Sequence, residues 1–264
     1  NFSDPYKSAM EFATNTDRNI FITGKAGTGK TTFLRNFRKQ TNKQIAIVAP
    51  TGVAAINAGG TTIHSFFQLP ITPFKPTPEW QSQLISQIKM SKTRRNVIRE
   101  LEVLIIDEIS MVRADVLDAI DAVLRAIRHR RNEPFGGVQV ILIGDMHQLS
   151  PVAKTNEWSL VSDYYKSAYF FDSHVIQKHP PLYLEFDKIY RQSDNQFIKV
   201  LNEVRNNSLS TEGANLLKSR YNPNFTPTAD DHYITLTTHN YSADNINRNE
   251  LDKLTTPIHE FHAK

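Results

Sequence analysis

Four short runs of this chain are apolar almost throughout, at residues 20–23, 45–48, 103–106 and 138–143, with Thr23 and Gln139 the polar members. A strand with one wet face alternates apolar and polar side chains, so runs of this kind belong to strands covered on both faces. The stretches between them carry helical spacing instead. Val116, Ile120, Val123, Leu124 and Ile127 form one apolar stripe, with Asp118, Asp121, Arg125 and Arg128 on other faces. Strands alternating with helices predict an α/β fold with a doubly wound, mostly parallel sheet. The 264 residues come to a little under two domains at about 150 per domain. With no cysteine, a disulfide framework, an iron–sulfur cluster and a thiolate zinc site are excluded.

Prolines mark the interruptions. Pro70, Pro73, Pro76 and Pro78 stiffen a loop leading into a polar, helical segment at 79–99, read as a small insertion over about 69–99. Pro180-Pro181 precedes a strand at 182–186. Helices near 195–205 and 211–220, a strand at 233–237 and a helix at 242–254 follow. The organisation expected is a first domain over 1–181 and the first part of a second over 182–264. No apolar run approaches the roughly eighteen residues of a membrane span, and no signal core opens the chain, so no membrane is expected as a partner. A start at Asn1 rather than Met is expected of a processed chain or a piece of a longer polypeptide. Thirty-one basic against 27 acidic residues leave a net charge of +4, which permits an anionic partner without demanding one.

Glycine is scarce, ten in the chain, and six of the ten fall within residues 24–60. Gly24-Lys25-Ala26-Gly27-Thr28-Gly29-Lys30-Thr31, followed by Thr32, matches G-x-x-x-x-G-K-[ST] between a strand and a helix. Glycines let the backbone curl its N–H groups toward a phosphate chain, and the helix N-terminus adds positive potential. In this cradle Lys30 reaches the outer phosphates and the Thr31 hydroxyl ligates magnesium. The strand at 103–106 ends in Asp107-Glu108, an acid pair costly to bury without a cation or partners. Asp107 is read as the magnesium-side acid and Glu108 as the water-activating one, which predicts hydrolysis of ATP or GTP with Mg2+.

Three further segments accompany these in order: Ala49-Pro50-Thr51-Gly52-Val53-Ala54-Ala55, then Gly60-Thr61-Thr62-Ile63-His64-Ser65-Phe66-Phe67, and Gly144-Asp145-Met146-His147-Gln148-Leu149-Ser150-Pro151. With Asp107-Glu108-Ile109-Ser110-Met111, the set resembles the Pif (petite integration frequency) family of superfamily 1B helicases and its RecD-like relatives, from about residue 20 onward. The resemblance implies a RecA-like P-loop NTPase domain followed by a second, incomplete RecA-like domain. It also implies ATP as cofactor and single-stranded, forked or structured DNA as partner, with movement 5′ to 3′ by a monomer.

By that resemblance Gln148 senses the γ-phosphate, and Thr51, Gly52 and the His64 segment contact single-stranded DNA. Phe66 is a candidate for stacking on a base, while Phe67 is read as core. Leu184-Glu185-Phe186-Asp187-Lys188-Ile189-Tyr190-Arg191-Gln192 resembles the family motif that makes Arg191 an arginine finger. Thr237 and Asn240 match its second-domain DNA contacts. The adenine-reading glutamine of many helicases has no counterpart in residues 4–9, and the family's later motifs and barrel-like insertion are not found before Lys264. An intracellular setting is expected, a bacterial cytoplasm before a nucleus or mitochondrion. The rival reading is a nucleotide-gated module that binds single strands with little turnover.

Overall fold

The structure, a computed structural model, describes residues 4–188, 190, 194–225, 233–256 and 259. In chain order the elements begin α1 (Pro5–Asn15), β1 (Ile20–Gly24), α2 (Lys30–Gln40), β2 (Ile45–Ala49), α3 (Gly52–Ala58), β3 (Thr61–Thr62) and α4 (Ile63–Phe67). Then come α5 (Pro78–Gln87), α6 (Lys92–Glu100), β4 (Val103–Ile106), α7 (Ala114–Ile127), β5 (Gln139–Ile143), α8 (Thr155–Trp158), α9 (His174–Lys178) and β6 (Leu182–Phe186). Last are α10 (Asn195–Arg205), α11 (Thr211–Ser219) and α12 (Asn240–Leu251). The strands form one parallel sheet in the order β3-β2-β4-β5-β1-β6.

Successive side chains on a strand point to opposite faces, and the apolar runs divide accordingly into two cores. Ile20, Ile22, Ile47, Val103, Ile105, Ile141 and Ile143 pack with Phe33, Leu34 and Phe37 of α2 and with Ala9 and Ala13 of α1. Phe21, Val48, Leu104, Ile106, Val140 and Leu142 face the other way, onto the apolar stripe of α7. The doubly wound, RecA-like architecture read from the sequence is the one observed.

Four local expectations change. The segment at 79–99 is two helices, α5 and α6, and its Leu84, Ile88 and Ile98 join the core beside α7 instead of standing apart. Asp118 is not on a wet face. It is buried and accepts the His174 and Val175 N–H groups at 2.9 and 3.0 Å, tying down the start of α9. Arg128, first of the basic run 128–131 that by sequence alone reads as a solvated face, is no solvated cation either. It donates to the carbonyls of Ile98, Arg99, Leu101 and Gly136, and so closes the end of α6. The strand expected to open a second domain, β6, pairs with β1 as the edge of the first sheet, from Ile20 opposite Leu182 to Gly24 opposite Phe186.

The chain divides into two compact units between Ser208 and Leu209. In the second unit, α11 and α12 form as expected. Residues 233–237 form no strand: a strand needs a neighbour for its backbone hydrogen bonds, and among the described residues none pairs with this one. Ile234 and Leu236 there are 84% and 91% exposed. No helix among the described residues is long and apolar enough to cross a membrane.

Candidate nucleotide-binding site

In a parallel sheet every strand delivers its carboxyl end to one edge, where ligands gather. β1 arrives there at Gly24, with φ 145°. A Cβ at this position would stand 2.4 Å from the Phe186 carbonyl and 2.7 Å from the Thr28 hydroxyl. Glycine is thus demanded by contact as well as by torsion. The loop ends at Gly29, φ 97°, which caps α2 without a side chain and leaves the helix N-terminus open to an anion. Thr28, buried beneath the loop, donates its hydroxyl to the Lys25 carbonyl at 2.9 Å. Lys30 Nζ donates to the carbonyls of Gly24 at 2.6 Å and Lys25 at 3.1 Å. Burial lowers its pKa, opposed by the nearby charges of Asp145 and Glu108.

β4 reaches the same edge at Asp107, whose N–H donates to the Val48 carbonyl at 2.9 Å and whose Oδ1 accepts the Glu108 N–H at 3.0 Å. Burial, then repulsion from Glu108, pushes the Asp107 carboxyl up to about 6. Glu108 has φ 53°, a left-handed backbone that is uncommon outside glycine and gathers at functional sites. Glu108 lines the cleft above the loop, and Asp107 lies near enough to feel the charge of Lys30.

β5 delivers Asp145, 1% exposed. Its Oδ1 accepts the His147 N–H at 3.1 Å, and its Oδ2 accepts Gln148 Nε2 at 3.2 Å and Arg205 Nη1 at 2.6 Å. Burial alone would raise its pKa. The Arg205 hydrogen bond, with those from His147 and Gln148, outweighs that and holds the carboxyl below the ordinary range.

The cleft encloses about 1080 Å³. Ala26, Gly27, Gly29, Lys30, Thr31 and Thr32 of the expected cradle line it, together with Glu108 and Gln148. Gln148 is exposed to the cleft, so it is not a buried structural amide. Arg191 lies outside the described residues. The sequence reading assigned no role to Asp145, Arg205, Tyr6 or Asn36, all of which line the same space. Asp145 had a usable signal, since an acid ending an apolar strand is the argument already applied to Asp107. Tyr6 and Asn36, joined by a 2.7 Å hydrogen bond from the Asn36 amide to the Tyr6 hydroxyl, and Arg205 had none in local pattern.

Two strands, β5 and β4, separate the phosphate loop from the turn after β2. There the Thr51 hydroxyl accepts the Ala54 N–H at 3.2 Å and caps α3. Gly52 opens that helix with no atom within 4 Å of a Cβ placed on it. Next to it, Thr62 caps α4, which carries His64 and Phe66. His64 is half-buried, its pKa lowered by that burial with Asp115 opposing. Phe66 meets the ring of the fully buried Phe67 edge-on at 4.8 Å and rests against the core. Thr237, whose hydroxyl donates to the His239 carbonyl at 3.0 Å, and Asn240 at the start of α12 are both exposed and belong to the second unit.

The model of the PIF1-like helicase family matches residues 5–215. The chain belongs to the PIF1-like helicases. Among curated members of this family, the ATP-dependent DNA helicase RRM3 of Saccharomyces cerevisiae is 35% identical over 206 residues, covering 76% of this chain and 27% of that protein. The ATP-dependent DNA helicase PIF1 of the same species is 31% identical over 269 residues, covering 99% of this chain and 29% of that protein. A crystal structure of a Bacteroides Pif1 helicase in complex with ADP-AlF3 and ssDNA superposes with a TM-score of 0.88 at 38% identity, over 97% of this chain and 58% of that one. This PIF1-like chain therefore spans under a third of the length of these curated relatives and somewhat over half of that solved structure.

Proposed function

We propose that this chain is the ATP-hydrolysing core of a DNA helicase that moves 5′ to 3′ along single-stranded DNA and opens forked duplexes. The observation that carries the reading is the meeting, in one cleft over a phosphate loop, of Lys30, Glu108 and the Asp145–Gln148 pair in a member of the PIF1-like family. Similar proteins are named ATP-dependent DNA helicases, and a similar structure is described with ADP-AlF3 and ssDNA. The single-strand-binding module with little turnover has no observation in its favour.

The loop N–H groups and the open end of α2 hold the phosphates, and Lys30 leaves its two carbonyl partners to neutralise the outermost one. Thr31 and Asp107 offer hard oxygen donors, and a carboxyl held near 6 by burial gains most from a cation beside it, so the pair suits Mg2+. Mg2+, when bound, offsets charge on the phosphate oxygens. Glu108 orients the attacking water, Gln148 registers the γ-phosphate, and Arg191 serves as the finger. Thr51, Gly52, His64 and Phe66 are the DNA contacts proposed for the first unit, and Thr237 and Asn240 those proposed for the second. Backbone contacts dominate, which suits a motor indifferent to sequence.

The test is steady-state ATPase activity of the intact protein with and without oligothymidine. Strong stimulation by DNA, cut at least about a hundredfold by Lys30→Ala or Glu108→Gln, is the expected result. Failure to bind single-stranded DNA even at low salt would overturn the reading, because phosphate contacts are strongest there.

A further inference from the structure

We infer that Arg205 is a positioning residue for hydrolysis, orienting the Gln148 side-chain amide through the buried carboxylate of Asp145. The inference rests on the reading of this cleft as the ATP site. One oxygen, Asp145 Oδ2, accepts both Gln148 Nε2 at 3.2 Å and Arg205 Nη1 at 2.6 Å. An ionised carboxylate only accepts hydrogen bonds, so the group facing it has to be the NH2 end of the amide. Gln148 Oε1 is then free to receive a proton of an attacking water, while the second Nε2 hydrogen remains to register the γ-phosphate.

Arg205 keeps that choice unambiguous. Asp145 is 1% exposed and its ion pair with Arg205 is the one short charge-assisted contact it makes among the described residues. Without the guanidinium, a carboxylate this buried takes up a proton. A protonated carboxyl can donate as well as accept, so it tolerates the Gln148 amide in either orientation. The phosphate loop shares no hydrogen bond with these groups and feels Asp145 and Arg205 only as opposing charges on Lys30, so nucleotide binding changes little while the chemistry loses its aligned acceptor. Arg205 ends α10, three residues before the boundary at Ser208. Alignment of Gln148 thereby depends on the position of α10, 57 residues further along the chain (205 − 148).

The experiment is a double-mutant cycle in the intact protein, comparing wild type, Arg205→Met, Gln148→Ala and the double variant. DNA-stimulated kcat, KM and the affinity for a non-hydrolysable ATP analogue are measured for each. Arg205→Met is expected to lower kcat about tenfold to a hundredfold and to leave analogue affinity within about threefold. In the Gln148→Ala background the same change is expected to cost almost nothing, because residues acting as a unit are not additive. Arg205→Lys, which keeps a cation on Asp145, is expected to recover most of the loss. An equal factor in both backgrounds, or a kcat for Arg205→Met that is unchanged or raised, overturns the inference. If Arg205→Met does not fold, the near-isosteric Asp145→Asn takes its place in the cycle with the same expected losses, and full activity in it overturns the inference equally. A wild-type protein that binds nucleotide without hydrolysing it overturns the proposed function as well, whereas wild-type turnover with an indifferent Arg205 overturns this inference alone.

Discussion

In the first unit β4 and β5 are buried at every position, whereas in the second α12 buries no residue at all and Tyr233, Ile234 and Leu236 lie open to solvent. The two regions do not differ in having apolar residues. They differ in having something to put against them. In the first, β2, β4, β5 and β1 each have a strand on either side and both faces of the sheet carry helices, so their side chains find a core on one face or the other. In the second, the extended segment at 233–237 has apolar side chains, and no strand pairs with it among the described residues. Burial, the main favourable term in folding, is supplied by neighbours and not by composition.

The largest effect that can break this comparison is in the first unit. Phe37 of α2 is fully buried against Phe33 and the sheet, and Phe37→Ala is expected to cost about 3–5 kcal/mol in denaturant unfolding. A loss under about 1 kcal/mol would mean that the first unit is packed no better than the second.

A smaller effect, of opposite sign, belongs to the carboxyl edge of the same sheet. Asp107 has a folded-state pKa of about 6 against an ordinary value of 3.8. As pH rises between those values the unfolded chain releases this proton first, so the native state loses stability and the loss is complete above about pH 6. Asp107→Asn removes the buried charge and keeps an acceptor for the Glu108 N–H. It is expected to be more stable than wild type by about 2–3 kcal/mol at pH 7.5 in chelator, with the difference vanishing below about pH 4. Thermal melts across that range measure it, and equal midpoints at pH 7.5 would show that the acid is not strained by burial.

The smallest effect sharpens the contrast from the other side. Leu236, 91% exposed, has no core to leave. Leu236→Ala is expected to change unfolding free energy by less than about 0.5 kcal/mol. A loss comparable to that of Phe37→Ala would show that this leucine is covered in solution.

Much of the first unit was legible because its signals are local. The G-x-x-x-x-G-K-T loop needs only its own backbone torsions and the strand and helix on either side, and Asp107-Glu108 needs only the end of an apolar run. Helix α10 was read at its observed bounds, and the structure shows a local reason for its start: Asp194 caps it, accepting the N–H groups of Gln196 and Phe197. β6 was read as a strand, yet its place was not legible. An apolar run states that it will pair, and the partner is settled by which edge remains free. The same limit explains 233–237, where β-type residues occur without a pairing edge among the described residues. Arg128 and Asp118 were misplaced for a related reason, since helical periodicity assigns a face and cannot show that another segment lies across it.

By itself the sequence determined the parallel sheet, its two-sided burial, the phosphate loop and the acid pair at its edge, because each follows from residues within a few positions of one another. Only the tertiary structure decided that β6 closes the first sheet and that Asp145 lies between Gln148 and Arg205. Those arrangements depend on which surfaces meet when separate segments compete for the same free edge or the same buried charge. That competition is resolved by packing and desolvation in the assembled molecule and leaves no periodic trace along the chain.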